Sequence, residues 1–149
     1  MPTNIFDHEQ MLAFSLEAIA SFAAGHTTET FYGFSVDATM LCLNSEEAFQ
    51  ETLAEYQAKW PGHYTDPKKI LELKNNQGDW KYQGFADLGD HGFDHEAYDW
   101  HYDSPEEEQT ATAYAVAMDQ LVAALVERDA FAALRRTDDF FVNRVEHNY

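Results

Sequence analysis

Hydrophobic residues recur at helical spacing in three long stretches of the chain. The first stretch carries apolar residues at Leu12, Leu16, Ile19 and Ala23. Intervals of three and four residues place them on one face of a helix. The pattern predicts a first helix from about Asp7 to Ala24, and Gly25 is a typical stop.

A β-hairpin is predicted directly after this helix. The segments 30–36 and 39–43 are rich in strand-forming residues, and Asp37-Ala38 between them suits a tight turn. Met40 to Leu43 is a continuous apolar run, which is typical of a strand covered on both faces.

A second helix is predicted from about Ser45 to Lys59. Its apolar stripe consists of Phe49, Leu53, Tyr56 and Trp60. Asn44 is the expected N-cap, with Glu47 at the third helical position in a variant of the capping box. Pro61-Gly62 ends the helix, and Pro67 is expected to begin a short third one.

The second half of the chain begins with a region of poor alternation. Trp80 to Tyr82 leads into a strand or an extended arm, and the rest of the segment up to Asp103 is predicted to be mostly loop. A long helix should follow, with Ser104 as N-cap, Pro105 in the first position and Glu107 completing a capping box.

The apolar stripe of the long helix predicts its end near Arg128. The stripe consists of Tyr114, Met118, Leu121 and Leu125. A final strand is predicted over Phe140–Val145. The order of elements indicates an α+β fold, in which a small, mainly antiparallel sheet of the hairpin and the last strand packs with three to four helices. No change in composition divides residues 1–149, so we expect one domain.

Positive charges are confined to two windows. The chain of 149 residues has a formal net charge of −18, and all nine Lys and Arg lie within 59–81 or 128–144. The two long gaps without a cation contain nine and eleven carboxylates. Such a field repels nucleic acid and anionic membranes, so neither is an expected partner. It serves a cationic partner or adapts the chain to its solvent.

Several features bear on the compartment. The single cysteine, Cys42, lies in an apolar run and excludes an internal disulfide, which fits a reducing cytosol. The N-terminus has no basic region followed by an apolar one, so no signal peptide is expected. We therefore expect a cytoplasmic protein without a membrane span.

Motifs of catalysis are absent from the sequence. We find no Gly-x-Ser-x-Gly elbow, no phosphate-binding glycine loop and no dinucleotide fingerprint. No cofactor is therefore expected, and we predict that the chain is not an enzyme. One alternative is a metal-dependent hydrolase that uses His91, His95 and His101, although their spacing matches no known metal motif.

The segment around these histidines favours a recognition surface. Aromatic residues, which are typical anchors of protein interfaces, alternate there with carboxylates that would attract a basic partner. The predicted partner-binding residues are Asp90, Asp94, Glu96, Tyr98, Asp99, Trp100, Asp103, Glu106 and Glu107. The aromatic rings have an alternative role, which is to face inward and fix a long loop to the core.

Four short motifs resemble a bacterial family of single-domain proteins of unknown function. They are Phe31-Tyr32-Gly33-Phe34, Leu43-Asn44-Ser45-Glu46-Glu47, Gly78-Asp79-Trp80-Lys81-Tyr82 and a long helix ending at Glu127-Arg128-Asp129-Ala130-Phe131. The resemblance extends from about Thr30 onward. Some members of the family accompany polymorphic toxins as candidate immunity proteins. The resemblance thus implies a toxin as partner, and it implies no catalytic residues.

Charge, aromatic content and resemblance together lead to one functional hypothesis. The chain is expected to be a cytosolic immunity protein that neutralises a basic cognate toxin or effector, with a nuclease as the favoured toxin activity. The alternatives are the metal-dependent hydrolase and a non-catalytic adaptor whose acidity serves only solubility.

Overall fold

The computed structural model describes residues 5–146, which form five α-helices and a four-stranded sheet. The helices are α1 (His8–Ala24), α2 (Glu46–Lys59), α3 (Pro67–Lys74), α4 (His95–Tyr102) and α5 (Ala113–Glu127). The strands are β1 (Thr30–Asp37), β2 (Met40–Ser45), β3 (Tyr82–Asp87) and β4 (Arg135–Val145). The predicted α+β class is confirmed.

The sheet has the strand order β3-β2-β1-β4. The predicted hairpin pairs β1 with β2, and Ala38 takes a positive φ of 54° in its turn. Strand β3 pairs antiparallel with β2, whereas β4 runs parallel to β1. The sheet is therefore mixed but mostly antiparallel, and its last strand is longer than the sequence pattern predicts.

Helices cover both faces of the sheet. On one face, α1 and α5 pack over Phe34, Val36 and Leu41. On the other face, a smaller cluster joins Tyr32 and Cys42 to residues of α2 and α3. Because the central strands are covered twice, they consist of nearly continuous apolar residues rather than alternating ones. No described helix combines the length and the apolar character that crossing a bilayer requires.

The predicted N-cap of the second helix is displaced by one residue. Ser45 caps α2, since its hydroxyl oxygen accepts from the Ala48 amide at 3.0 Å. Asn44 remains in β2, where its side-chain amide donates to the Tyr32 hydroxyl at 2.8 Å. Glu47 forms no capping box, because its carboxylate accepts from the Thr30 amide instead.

The expected strand after Trp80 is confirmed by β3, but the prediction of mostly loop from there to Asp103 is wrong. Strand β3 forms because its backbone completes the edge of β2, which no periodicity in β3 itself reveals. Helix α4 is only eight residues long, and its polar outer face hides the helical pattern.

The predicted start of the long helix is also wrong. Pro105 has an extended ψ of 145°, and only a short 3-10 turn, Glu106–Glu108, follows it. Helix α5 begins eight residues later, where Thr112 caps it by accepting from the Ala115 amide at 3.1 Å. The predicted end of this helix, near Arg128, is confirmed.

Candidate protein-binding surface

Helix α4 is fixed at its start by a buried aspartate. The carboxylate of Asp94 accepts from the Ala97 amide at 3.1 Å and from the Ile5 amide at 3.2 Å. Asp94 is 4 % exposed, so its charge stabilises the helix start and the neighbouring chain. It presents little negative charge to a partner.

The inner face of α4 packs against α5. Ala97 and His101 are buried one turn apart, as a helix requires of residues on the same face. Tyr98 lies beside them, with its ring centroid 4.8 Å from that of Tyr114. Burial, and then the charge of Glu146, raises the pKa of Tyr98. This ring anchors the helix to the core.

The outer face of α4 continues into the 3-10 turn as one exposed surface. Its members are Glu96, Asp99, Trp100, Tyr102, Asp103 and the three glutamates 106–108. We call this set the aromatic–acidic surface. Trp100 is 52 % exposed and Tyr102 is 45 % exposed, so both rings are accessible to a partner.

Side-chain hydrogen bonds hold the 3-10 turn against the end of α4. The Ser104 hydroxyl donates to the Trp100 carbonyl at 2.7 Å. The side-chain amide of Gln109 donates to the carbonyls of His101 and Ser104, at 3.1 and 3.2 Å. Of these carbonyl groups, that of Trp100 lies in the last turn of α4, where the helix leaves such groups without an intrahelical partner.

Two hollows lie on either side of this turn. One, of about 330 Å³, is lined by Trp100, Glu107, Glu108 and Thr112 among others. The other, of about 640 Å³, is lined by Tyr102, Glu106, Arg144 and Glu146 among others. Each hollow therefore combines one aromatic ring with carboxylates, and the second also contains the guanidinium of Arg144.

A buried histidine connects α4 to two other elements. His101 is 1 % exposed, and its Nδ1 lies 2.5 Å from the Thr112 hydroxyl oxygen at the start of α5. Its Nε2 lies 3.1 Å from the Glu146 carboxylate, just beyond β4. The ring thus fixes the position of α4 relative to α5 and the sheet.

The cation nearest to this network is already paired. Arg144 bonds to Asp119 at 3.0 Å and also contacts the Glu146 carboxylate. Burial opposes its charge, but the hydrogen bond and charge of Asp119, together with Glu146, raise the pKa of Arg144 above its ordinary value. The guanidinium therefore stays charged and adds no unpaired positive charge beside the aromatic–acidic surface.

The structure brings together six of the nine predicted partner-binding residues. Glu96, Asp99, Trp100, Asp103, Glu106 and Glu107 all belong to the aromatic–acidic surface. Asp94 and Tyr98 instead serve α4 and its packing. Asp90 is exposed in the loop before α4, beyond the opposite end of the helix from the glutamates.

The three histidines of the metal hypothesis have separate environments. The His91 ring stacks on Phe14 at 3.8 Å, and His95 Nε2 lies 2.8 Å from the Gly89 carbonyl oxygen. His101 is held by Thr112 and Glu146. Within residues 5–146, no three side chains of metal-binding type form a group that could hold an ion.

Cys42 lies in the core rather than at a reactive site. Burial is the main cause that raises the pKa of its thiol to about 11. A thiol of this kind is a poor nucleophile near neutral pH.

Sequence reasoning missed several residues that shape the surface. Gln109, Thr112 and Glu146 hold it in place, whereas Tyr102 and Glu108, which belong to it, lie within the predicted contact segment but not among the nine predicted residues. Asp94 could have been recognised as an N-cap, because aspartate is a preferred residue at that position and its carboxylate can accept from the amide three residues later. For Glu146, which approaches from a distant strand, the sequence offers no comparable pattern.

Comparison of the chain with protein-family models, with curated proteins and with solved structures finds no match.

Proposed function

We propose that this chain is a cytoplasmic immunity protein that binds and neutralises a basic toxin or effector protein. The observation that carries the proposal is the aromatic–acidic surface, where two large exposed rings lie among six carboxylates. Exposed Trp and Tyr are the residue types that contribute most energy to protein interfaces.

Charge indicates the class of partner. Residues 82–127 contain no Lys or Arg, so a positive partner meets no repulsion from this part of the chain. Charges more than about 8 Å apart are largely screened at physiological ionic strength. The carboxylates of α4 and the 3-10 turn are close in sequence and in space, so their attraction adds up near the rings.

The two hollows are not equally suited to long cationic side chains. A Lys or Arg that enters beside Trp100 would meet an aromatic ring for a cation–π contact and the carboxylates of Glu107 and Glu108. Tyr102 and Glu106 also line the second hollow, but Arg144 lies there as well, and its charge is paired with Asp119 and Glu146. The hollow beside Trp100 is therefore the better site for a cationic side chain of the partner.

A nuclease is the favoured partner because its substrate-binding surface must be basic. Enzymes that bind phosphate groups collect Lys and Arg at that surface. A protein that presents carboxylates where phosphates would lie can occupy the surface and exclude the nucleic acid. The resemblance of the sequence implies a toxin as partner, whereas the choice of a nuclease depends on charge alone.

The proposal is tested by the kinetics of association with any basic protein that a gene adjacent to this chain's gene encodes. We expect the association rate to fall by at least about tenfold between low and physiological salt, because attraction between opposite charges is screened. An association rate indifferent to salt, or no binding, would contradict the proposal.

Charge reversal then locates the contact. Changing Asp99, Asp103 and Glu106 to Lys should reduce the low-salt association rate by about tenfold or more. The matched control reverses Glu17, Glu55 and Glu127, which are equally exposed but lie outside the surface, and it should change the rate less than about threefold. Equal effects of both triple variants would indicate general attraction rather than this site.

Removal of the Trp100 ring tests whether the ring holds the complex together, which is a separate question from whether the carboxylates speed association. Trp100→Ala should weaken the complex by about 2 kcal/mol, mainly through faster dissociation. If the chain is only an acidic adaptor, neither this variant nor the charge reversals will affect an association with the neighbouring protein.

A further inference from the structure

A third hollow lies on the opposite face of the sheet from the aromatic–acidic surface and its two hollows. It has a volume of about 510 Å³ and lies between α3 and β4. Its lining includes Leu71, Lys74, Gln77, Asp139, Phe141 and Asn143. Sites for small molecules commonly measure roughly 300 to 1,000 Å³. We call it the amide hollow.

Two polar side chains of its lining, Gln77 and Asn143, are joined through the buried Ser35 in one hydrogen-bonded chain. The Gln77 side-chain amide donates to the Ser35 hydroxyl at 3.2 Å. That hydroxyl in turn donates to the side-chain oxygen Oδ1 of Asn143 at 2.5 Å. Ser35 is fully buried and Gln77 is 5 % exposed. Because β1 and β4 place Ser35 beside Asn143 in register, the sheet itself fixes this arrangement.

The chain of bonds uses only one end of each amide. The other amide atoms, Oε1 of Gln77 and Nδ2 of Asn143, have no protein partner within residues 5–146 and are not sealed from solvent. One is an acceptor and the other a donor. Turning both amides over reverses their roles but again leaves one donor and one acceptor.

This pair determines the chemistry of a ligand. A planar group that carries an N–H next to a C=O offers one donor and one acceptor, which complement these two free atoms, and such edges occur in primary carboxamides and in nucleobases. Phe141 and Leu71 supply apolar contact for a ring that carries this edge. Specific polar contacts within an apolar lining are typical of small-molecule sites.

Charge at the hollow favours a neutral ligand. The Lys74 ammonium already pairs with Glu46 at 2.7 Å. Asp139 is exposed at the rim, and an exposed carboxyl group is ionised at neutral pH. An anionic ligand would therefore meet a negative charge without a free positive one to offset it.

We propose that the amide hollow binds a neutral, planar, aromatic compound through a carboxamide-type edge recognised by Gln77 and Asn143. The inference is independent of the proposed immunity function, since the two sites lie on opposite faces of the sheet. A chain that binds no toxin at all could still bind such a compound.

The experiment titrates ¹⁵N-labelled protein with nicotinamide and, separately, with cytosine. We expect the side-chain NH₂ resonances of Gln77 and Asn143 to shift and saturation transfer to reach the ligand ring. A response to nicotinamide alone indicates a carboxamide, a response to cytosine alone indicates a nucleobase, and both support the shared edge. Nicotinic acid, which replaces the amide with a carboxylate, should give no shift. No response to either compound, or an equal response to nicotinic acid, would overturn the proposal.

Two variants assign the response to the hollow. Asn143→Asp exchanges the donor for an acceptor and should weaken binding about tenfold. Leu71→Lys obstructs the mouth and should weaken binding several-fold, and its exposed position does not put folding at risk. Val126→Lys on α5 is the matched control, since Leu71 and Val126 are both 56 % exposed. If Leu71→Lys binds as well as Val126→Lys, the ligand lies elsewhere and the proposal fails.

Discussion

Gly33 shows how a single residue can determine the packing of a sheet. It lies where the register of β1 shifts against both β2 and β4. A Cβ atom at this position would overlap the ring of Phe141, which crosses from β4 directly over the glycine. The close approach of this ring to the backbone requires a residue without a side chain.

We therefore predict that Gly33→Ala lowers the free energy of unfolding by about 1–3 kcal/mol, the usual effect of overpacking. Chemical denaturation of the variant and of the parent chain measures the difference. Gly25→Ala is the control, because its Cβ would lie 3.7 Å from the nearest heavy atom, an ordinary contact. Gly33→Ala combined with Phe141→Leu should recover part of the loss, and an additive loss would contradict the explanation.

Ser15, in contrast to Gly33, is a residue whose side-chain type the packing does not require. It is fully buried on α1, and its hydroxyl has no hydrogen-bond partner among residues 5–146. An unsatisfied buried hydroxyl destabilises the fold, and alanine is the better helix former.

Ser15→Ala should consequently raise the free energy of unfolding by about 1 kcal/mol. Thermal unfolding followed by circular dichroism is sufficient to detect the change. Ser21→Ala, at an exposed position of the same helix, controls for helix propensity alone and should have a smaller effect. A clear loss of stability in Ser15→Ala would show that the hydroxyl has a partner in solution.

At the scale of elements, the periodic patterns correctly predicted the helices and strands that bury one long apolar stripe. Helix α1, the hairpin and the end of α5 follow from such stripes. The errors occurred where a tertiary contact decides the local structure. Strand β3 depends on the exposed edge of β2, and the start of α5 depends on Thr112, whose hydroxyl meets His101 from α4.

The two alternative starts of the long helix predict different effects of two alanine substitutions. Thr112→Ala removes the N-cap of α5 and a partner of the buried His101, so it should lower the free energy of unfolding by about 2 kcal/mol. Ser104→Ala removes a hydroxyl that caps no helix start and should cost at most about 0.5 kcal/mol. Urea denaturation compares them, and the reverse order would restore the helix start at Ser104 that the sequence predicts.

At the scale of the whole molecule, the candidate surface was predictable only in part. The composition of residues 90–107 indicated where carboxylates and rings are concentrated. It could not indicate which of them face inward, because this depends on the packing of α4 against Tyr114 and on the bond between Asp94 and Ile5. The amide hollow was not predictable at all, since Ser35, Gln77 and Asn143 are far apart in sequence.

Net charge leads to a last prediction that concerns the entire fold. With 27 acidic residues against nine basic ones, repulsion between carboxylates outweighs the few ion pairs that the described residues form. Salt screens repulsion and attraction alike, so the larger of the two decides whether added salt raises or lowers the stability of the fold. Added salt should therefore stabilise this protein, although it weakens individual ion pairs.

We expect the melting temperature to rise by about 2–4 °C between low and physiological salt, which corresponds to about 1 kcal/mol for a chain of this size. Calorimetry in sodium chloride and in choline chloride measures the shift, and agreement between the two salts excludes binding of a particular cation. The triple Lys variant of Asp99, Asp103 and Glu106 provides the control, because it reduces the net charge and should reduce the dependence on salt. A melting temperature that falls with added salt would mean that the ion pairs dominate. The anionic surface would then contribute to folding stability, whereas the proposed function assumes that it destabilises the free protein and is retained for a partner.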